Sequence, residues 1–189
     1  MKRLIVGISG ASGAIYGIRM LEALQRAKVE SHLVISEPAQ KIIPLETDYE
    51  VTGVEASANH VYPIDDVGAA IASGSFKTDG MVIIPCSMKS LSAVANSYND
   101  NLLVRAADVT LKERRRLVMV VRETPLHKGH LRLMLSAADM GAVIYPPVPA
   151  FYIMPQSIDD LVNHAVGKIL DLFDIEHSLL NRWQGMRQP

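Results

Sequence analysis

The sequence predicts an α/β fold built around a mainly parallel sheet. Three observations carry that expectation. The chain opens with a short apolar run, a glycine-rich turn, an amphipathic helical pattern and a second apolar run, all before Pro38. That is the β–turn–α–β order of a nucleotide-binding unit. Short apolar runs then keep alternating with helical patterns along the chain. Aromatic residues make up only 5% of the chain while aliphatic ones are plentiful, which suits helices packed on both faces of a parallel sheet.

The elements follow in order. Leu4 to Ile8 reads as a buried strand ending in glycines. From Gly13 the pattern is helical, with Ala14, Ile18, Leu21 and Leu24 (and Met20) on one face and Arg19, Glu22 and Gln25 turned away. Ser31 to Ile35 is a second strand. Helices are expected near Ala39–Pro44 and Val51–Ala58, a short third strand at His60–Tyr62, and a loop at Ser73-Gly74-Ser75. Gly80 to Pro85 is a buried strand that ends at Cys86-Ser87-Met88-Lys89-Ser90, where a helix begins. Leu102 to Arg115 reads as a helix, Leu117 to Val121 as a strand, His130 to Met140 as a helix and Ala142 to Tyr145 as a last strand. Ser157, with Asp160 three places on, has the form of a capping box. The helix that it starts carries an apolar stripe of Ile158, Leu161, Val162, Ala165, Ile169, Leu170 and Phe173.

A length of 189 residues fits one domain, 1–189, with 176–189 as a less regular tail in which Trp183 is an anchor. The composition, 49% apolar and 21% charged, is that of a soluble globular protein. A net charge of −1 gives no global field for nucleic acid or an anionic membrane, so neither is expected as a partner. Cys86 is the one cysteine, so no intrachain disulfide can form. The start, Met1-Lys2-Arg3-Leu4-Ile5-Val6-Gly7, is too brief an apolar run for a signal peptide, and no run reaches transmembrane length. These readings together point to the cytoplasm.

In an open parallel sheet, ligands bind beyond the carboxyl ends of the strands. Here those ends carry Ser9 to Ser12, Ser36, Cys86 to Ser90, and Arg122-Glu123. Hydroxyls, glycines and one arginine suit a phosphate and a polar heterocycle. In Gly7-Ile8-Ser9-Gly10-Ala11-Ser12-Gly13, glycines let backbone N–H groups point inward, and the following helix adds the positive end of its dipole. Ser9 and Ser12 can add hydroxyl donors. The spacing is neither the dinucleotide fingerprint nor a Walker loop, and a tight turn without a ligand would read the same.

Arg105 and Lys112 lie two helical turns apart, facing one side, with Asp108 between them; a solvated surface network is the bland alternative. Lys168 borders the apolar stripe of the last helix, where a snorkelling lysine is the default. Glu123 sits at the ligand edge, placed to act as an acid or base if partly desolvated, or to pair with Arg122. Tyr152 follows the Pro146-Pro147-Val148-Pro149 loop and either lines a pocket or lies half-buried at the surface. Cys86 reads as an inert buried thiol. The six histidines show no metal-ligand spacing, so no metal is expected.

Taken together, Gly7-Ile-Ser-Gly-Ala-Ser-Gly-Ala14, Pro85-Cys-Ser-Met-Lys-Ser90, Arg105-Ala-Ala-Asp108, Leu111-Lys-Glu-Arg-Arg115, Arg122-Glu-Thr-Pro-Leu126 and Pro147-Val-Pro-Ala-Phe-Tyr152 resemble the flavin prenyltransferases, the UbiX/Pad family long described as aromatic acid decarboxylases. The resemblance runs from residue 3 to Gly185. It implies a three-layer Rossmann-like (flavodoxin-like) sheet and a homo-oligomer, commonly a dodecamer. It implies FMN on Gly10, Ala11 and Ser12, with Ser36, Ser87, Met88, Lys89, Ser90 and Arg122 completing the site. Dimethylallyl phosphate would set its phosphate among Arg105, Lys112, Tyr152 and Lys168, partly from neighbouring subunits. Glu123, Lys112 and Ser12 are the residues that it marks as catalytic. The reaction would join the dimethylallyl group to N5 and C6 of reduced FMN without a metal, and a UbiD-type decarboxylase would receive the product. Two departures stand out: Lys168 replaces an arginine found in several members, and Arg116 replaces a common proline. Lysine keeps the charge and loses the bidentate fork. Three rival readings stay open: an NAD-dependent oxidoreductase using Glu37 as a ribose-binding acid, a direct aromatic acid decarboxylase, and a non-catalytic flavin-binding subunit.

Overall fold

The computed structural model describes residues 1–180 together with Arg182 and Gly185; Trp183 lies outside the described residues. Six strands form one parallel sheet: β1 (Arg3–Ile8), β2 (Glu30–Ile35), β3 (His60–Tyr62), β4 (Gly80–Cys86), β5 (Arg116–Val121) and β6 (Val143–Ile144). Their order is β3-β2-β1-β4-β5-β6, the order of a doubly wound dinucleotide-binding sheet. Without the three-residue edge strand β3, the other five follow the flavodoxin order. Both halves of the expected description therefore apply.

The central strands are buried on both faces, which is why they read as unbroken apolar runs. Alternate residues feed two cores. Leu4, Val6 and Ile8 of β1 enter one core and Ile5 enters the other. The first core is roofed by α1 (Ala14–Arg26) and α7 (Ile158–Leu172), with residues of α2 (Glu37–Glu46) and α3 (Val51–Ala56) at its side. The second is roofed by α4 (Met88–Ala95), α5 (Leu102–Lys112) and α6 (Lys128–Asp139). Arg19 on α1 joins Asp159 on α7 at 2.9 Å, and the Lys2 ammonium donates to the Phe173 and Asp174 carbonyls just past the end of α7.

Three expectations need correction. The helix expected to run to Arg115 stops at Lys112. Arg114 adopts a left-handed φ of 58°, and Arg115 donates to the Gly74 and Phe76 carbonyls, both at 2.7 Å, which turns the chain into β5. Ile158 does not belong to the buried stripe of α7. It is 79% exposed, because the first turn of α7 projects past the core and burial begins at Val162. The helix expected from His130 starts at Lys128, since the His127 imidazole accepts from the Gly129 and His130 amides and caps it. Among the described residues, no helix is long and apolar enough to cross a membrane.

Candidate functional site

The chain runs from β1 out to β2 and β3, then crosses back to β4 on the other side of β1. The crevice beyond β1 and β4 is therefore the topological switch point. Backbone bonds continue past the strand ends and draw the loops together: Ser36 N–H to Ile8 O at 3.0 Å, Ser9 N–H to Pro85 O at 3.2 Å and Arg122 N–H to Cys86 O at 3.1 Å. Ser9 is a buried tie between two of these loops. Its hydroxyl donates to Pro85 O (3.0 Å) and accepts from the Ser87 amide (2.8 Å). The expectation that Ser9 offers a hydroxyl to a ligand is corrected on that ground.

These loops enclose a cleft of about 310 Å³, within the range of small-molecule sites. The glycine-rich turn contributes Gly10, Ala11 and Ser12, the residue after β2 is Ser36, and the turn after β4 contributes Ser87, Met88, Lys89 and Ser90. Arg122 and Glu123 close the wall after β5. Pro38, Ala93, Asp100, Asn101, Leu103 and Val104 also line it; none was anticipated, because residues on helices and in the turn before α5 carry no local sequence signal of a ligand. Glu37, the acid that suggested a ribose site, is exposed in the first turn of α2 and is not in the cleft wall.

The donor set suits a phosphorylated polyol attached to a ring. Ser36 and Ser87 cap α2 and α4, accepting from the Ala39 and Ser90 amides at 3.3 and 3.2 Å. The first amides of α4 have no partner within their helix, and Lys89 adds a charge beside them. Leu103, Val104 and Met88 give an apolar surface for a ring. Gly10 is required by space. A Cβ there would lie 2.4 Å from Pro38 Cβ, so the turn and the start of α2 can touch only without a side chain.

The amides that open α1 are already engaged. Gly13, at a left-handed φ of 102°, gives no side-chain cap. Instead Glu46, the last residue of α2, accepts from Gly13 N–H (2.7 Å) and Ala14 N–H (3.4 Å) and bonds the Ser12 hydroxyl. Burial works against its ionisation, but these bonds and the Arg122 charge outweigh burial and hold the carboxyl below its usual range. The α1 dipole therefore faces a carboxylate, a correction to the expected phosphate seat. Glu46 was missed because it lies on another helix, with no motif linking it to the turn.

Glu123 is exposed, and its Oε1 accepts from the Thr124 amide at 3.0 Å. Neither the expected desolvation nor the ion pair with Arg122 is found among the described residues. Tyr152 and Lys168 come together around His164. The Tyr152 hydroxyl is 2.9 Å from His164 Nε2, and burial, then the charge of Lys168 on the next turn of α7, lower the proton affinity of His164. Burial, then Tyr152 and Tyr16, push the Tyr145 pKa up to about 12, and burial also raises that of Tyr16, with Arg122 opposing. Lys168 is lightly held, 3.9 Å from Asp171, whose oxygens take Arg182 at 3.0 and 2.7 Å.

Arg105 and Lys112 lie elsewhere. Arg105 donates to Asp108 (3.2 Å) and to the Ala72 carbonyl (3.2 Å), while Lys112 pairs with Glu113 and not with Asp108. Both are on α5, over the second core, whereas Lys168 is on α7, over the first. Lys112 also ends its helix at the sheet edge where β5 begins, away from the cleft. One chain therefore does not bring the four expected phosphate contacts together.

Cys86 is fully buried, and burial pushes its thiol far up, as expected of an inert cysteine. One cluster among the described residues has metal-ligand composition: Glu30, His32 and His60, on adjacent strands. The Arg3 guanidinium already holds the shared Glu30 oxygen at 3.1 Å, so the cluster is charge-balanced by the protein itself.

The flavoprotein family model matches residues 1–175. A flavin prenyltransferase UbiX from Thauera aromatica is 60% identical over 97% of this chain and 94% of its own length. The solved structure of AnUbiX in complex with FMN and dimethylallyl pyrophosphate superposes with a TM-score of 0.97 at 52% identity, covering 98% of this chain and 99% of that one. A dodecameric FMN-dependent UbiX-like decarboxylase from Escherichia coli O157:H7 superposes with a TM-score of 0.95 at 49% identity, over 97% of this chain and 100% of that one.

Proposed function

The chain belongs to the flavin prenyltransferase family, and from that premise we propose that it joins a dimethylallyl group from dimethylallyl phosphate to reduced FMN. The observation that carries this reading is the meeting of the glycine-rich turn, Ser36, the Ser87–Ser90 turn and Arg122 in one cleft at the switch point. FMN binds there, with its ring against Leu103, Val104 and Met88. Its phosphate takes the free donors of the first turn of α4, Lys89 and the amides of the glycine-rich turn, because Glu46 occupies the start of α1. Arg122 faces the flavin, and Ser12, held by Glu46, stands beside it.

Reduced FMN would supply a nucleophilic N5 for the allylic carbon, whose C–O bond breaks as phosphate leaves with the electron pair; protonation of the prenyl double bond would then open its tertiary carbon to C6, which gives up its hydrogen as a proton. The residues do the rest. Arg105, Lys112 and Lys168, with Tyr152, stabilise the leaving dianion, so no metal is needed. Glu123 carries the proton. The apolar wall keeps water from the allylic carbon. Because Arg105 and Lys112 lie on the opposite face from Lys168, the phosphate site is completed by another copy of the chain. The protein therefore works as a homo-oligomer, a dodecamer like its relative, and passes its product to a UbiD-type decarboxylase. Anaerobic incubation with reduced FMN, dimethylallyl phosphate and EDTA tests the assignment. Mass spectrometry should find a flavin heavier by one dimethylallyl unit, in the same yield with or without EDTA. Recovery of unchanged FMN would show the assignment to be wrong.

A further inference from the structure

After α7 the chain turns back and lies along the helix. A Cβ on Gly167 would come within 2.8 Å of His177 Cε1 and of a Leu180 methyl, so this close seat needs a glycine. Gly167 directly precedes Lys168, and the returning chain brings two donors to Asp171, three residues after Lys168 on the same helix. The Arg182 guanidinium holds the carboxylate with both arms, at 3.0 Å to Oδ2 and 2.7 Å to Oδ1. His177 Nε2 lies 3.1 Å from Oδ1. The direction of that bond is fixed, because His177 Nδ1 accepts from the Leu179 amide at 3.2 Å and an amide N–H can only donate. The ring hydrogen is therefore on Nε2 and points at Asp171. The Arg182 bonds, against the opposing effect of burial, hold the Asp171 carboxyl below its usual range. Lys168 is left 3.9 Å from Oδ2, beyond hydrogen-bond reach, with its side chain half-exposed.

A lysine and an aspartate at i and i+3 are neighbours on a helix and attract each other. Lysine is a point charge on a flexible stem, so it would close the 3.9 Å gap if the carboxylate had no other partner. We propose that Arg182 is a positioning residue for Lys168: by holding both oxygens of Asp171, it keeps that carboxylate from drawing the ammonium in and leaves Lys168 to the phosphate of dimethylallyl phosphate. This rests on the reading of Lys168 as a phosphate contact. Arg182 offsets the charge of Asp171, and the charge of Lys168 remains for the donor. The competing pair of Lys168 and Asp171 can form only while the phosphate is absent. Its cost therefore falls on donor binding and not on the chemical step.

The test compares Arg182→Gln, Arg182→Lys, Asp171→Asn and Lys168→Met in the full chain, assayed for prenylated flavin. Arg182→Gln should raise the KM for dimethylallyl phosphate about two- to fivefold, the scale of one solvent-exposed ion pair, with kcat and the Kd for FMN little changed. Arg182→Lys keeps the charge and should stay near the wild-type value. Asp171→Asn should not raise KM, and added to Arg182→Gln it should restore it. In the Lys168→Met background, whose own KM is raised, Arg182→Gln should add nothing further. An Arg182→Gln or a Lys168→Met chain with the wild-type KM overturns the inference. So does a raised KM in Arg182→Gln that Asp171→Asn leaves in place, the result expected if Arg182 touched the phosphate itself. In these cases prenyl transfer to FMN still stands. A wild-type chain that makes no prenylated flavin overturns the functional reading, and this inference with it. Should Arg182→Gln fail to bind FMN, Asp171→Asn alone decides: a KM raised twofold or more overturns the inference, and an unchanged or lower KM upholds it.

Discussion

At Gly10 the cleft has no room for a side chain, since even a methyl group would press on Pro38 at 2.4 Å. Gly10→Ala should therefore push the turn away from α2 and weaken FMN binding by about tenfold or more, with a stability loss of about 1–3 kcal/mol from overpacking. Flavin fluorescence quenching and thermal unfolding check both parts, and unchanged affinity would count against a flavin seated on this turn. At this scale the sequence was informative wherever a residue acts through its own backbone position. Gly10, Ser36, Ser87 and Arg122 sit at strand ends, and strand ends can be read from apolar runs. It was silent where a side chain reaches across the fold. Glu46 meets Ser12 from a separate helix, and Ser9 turns inward to Pro85, so neither role has a local signature. Lys168 was legible as a departure from the family, but its neighbour His164 was not legible as a partner of Tyr152.

Among the elements, α7 is the most openly written. The Ser157 hydroxyl accepts from the Asp160 amide at 3.2 Å, and the Asp160 carboxylate accepts from the Ser157 amide at 2.9 Å. Ser157→Ala should cost about 1 kcal/mol. For a chain of this length that lowers Tm by about 2–4 °C, and a thermal scan with no shift would mean that the box adds nothing. The element limits that were misread share a cause. A 3.6-residue pattern continues through Glu113 to Arg115, yet Arg115 is drawn to the Gly74 and Phe76 carbonyls, which lie far off in sequence. Ile158 fits the stripe by spacing, yet no neighbouring element reaches far enough to cover it. Tertiary contact, or its lack, overrode periodicity in both places.

For the whole molecule, the decisive feature is a sheet with helices on two faces and one switch point. That arrangement gathers the flavin-binding loops at one edge and separates the two sets of cations, Arg105 and Lys112 over one core and Lys168 over the other. The doubly wound fold was legible because its order follows from alternating runs. The separation of Arg105 and Lys112 from Lys168 has no signature in spacing along one helix; only the family resemblance implied a phosphate site shared with neighbouring subunits. The central claim is that a reacting centre forms where the cleft of one chain meets the cations of another. Mixing two inactive variants tests it most directly. Glu123→Gln keeps Lys112, Lys112→Ala keeps Glu123, and equal amounts are unfolded together and refolded into mixed oligomers. If the site is shared, about one centre in four regains a full set of residues, and prenylated flavin should reappear at about a quarter of the wild-type rate. Mixed oligomers that form and bind FMN yet stay as inactive as either variant alone would contradict the account.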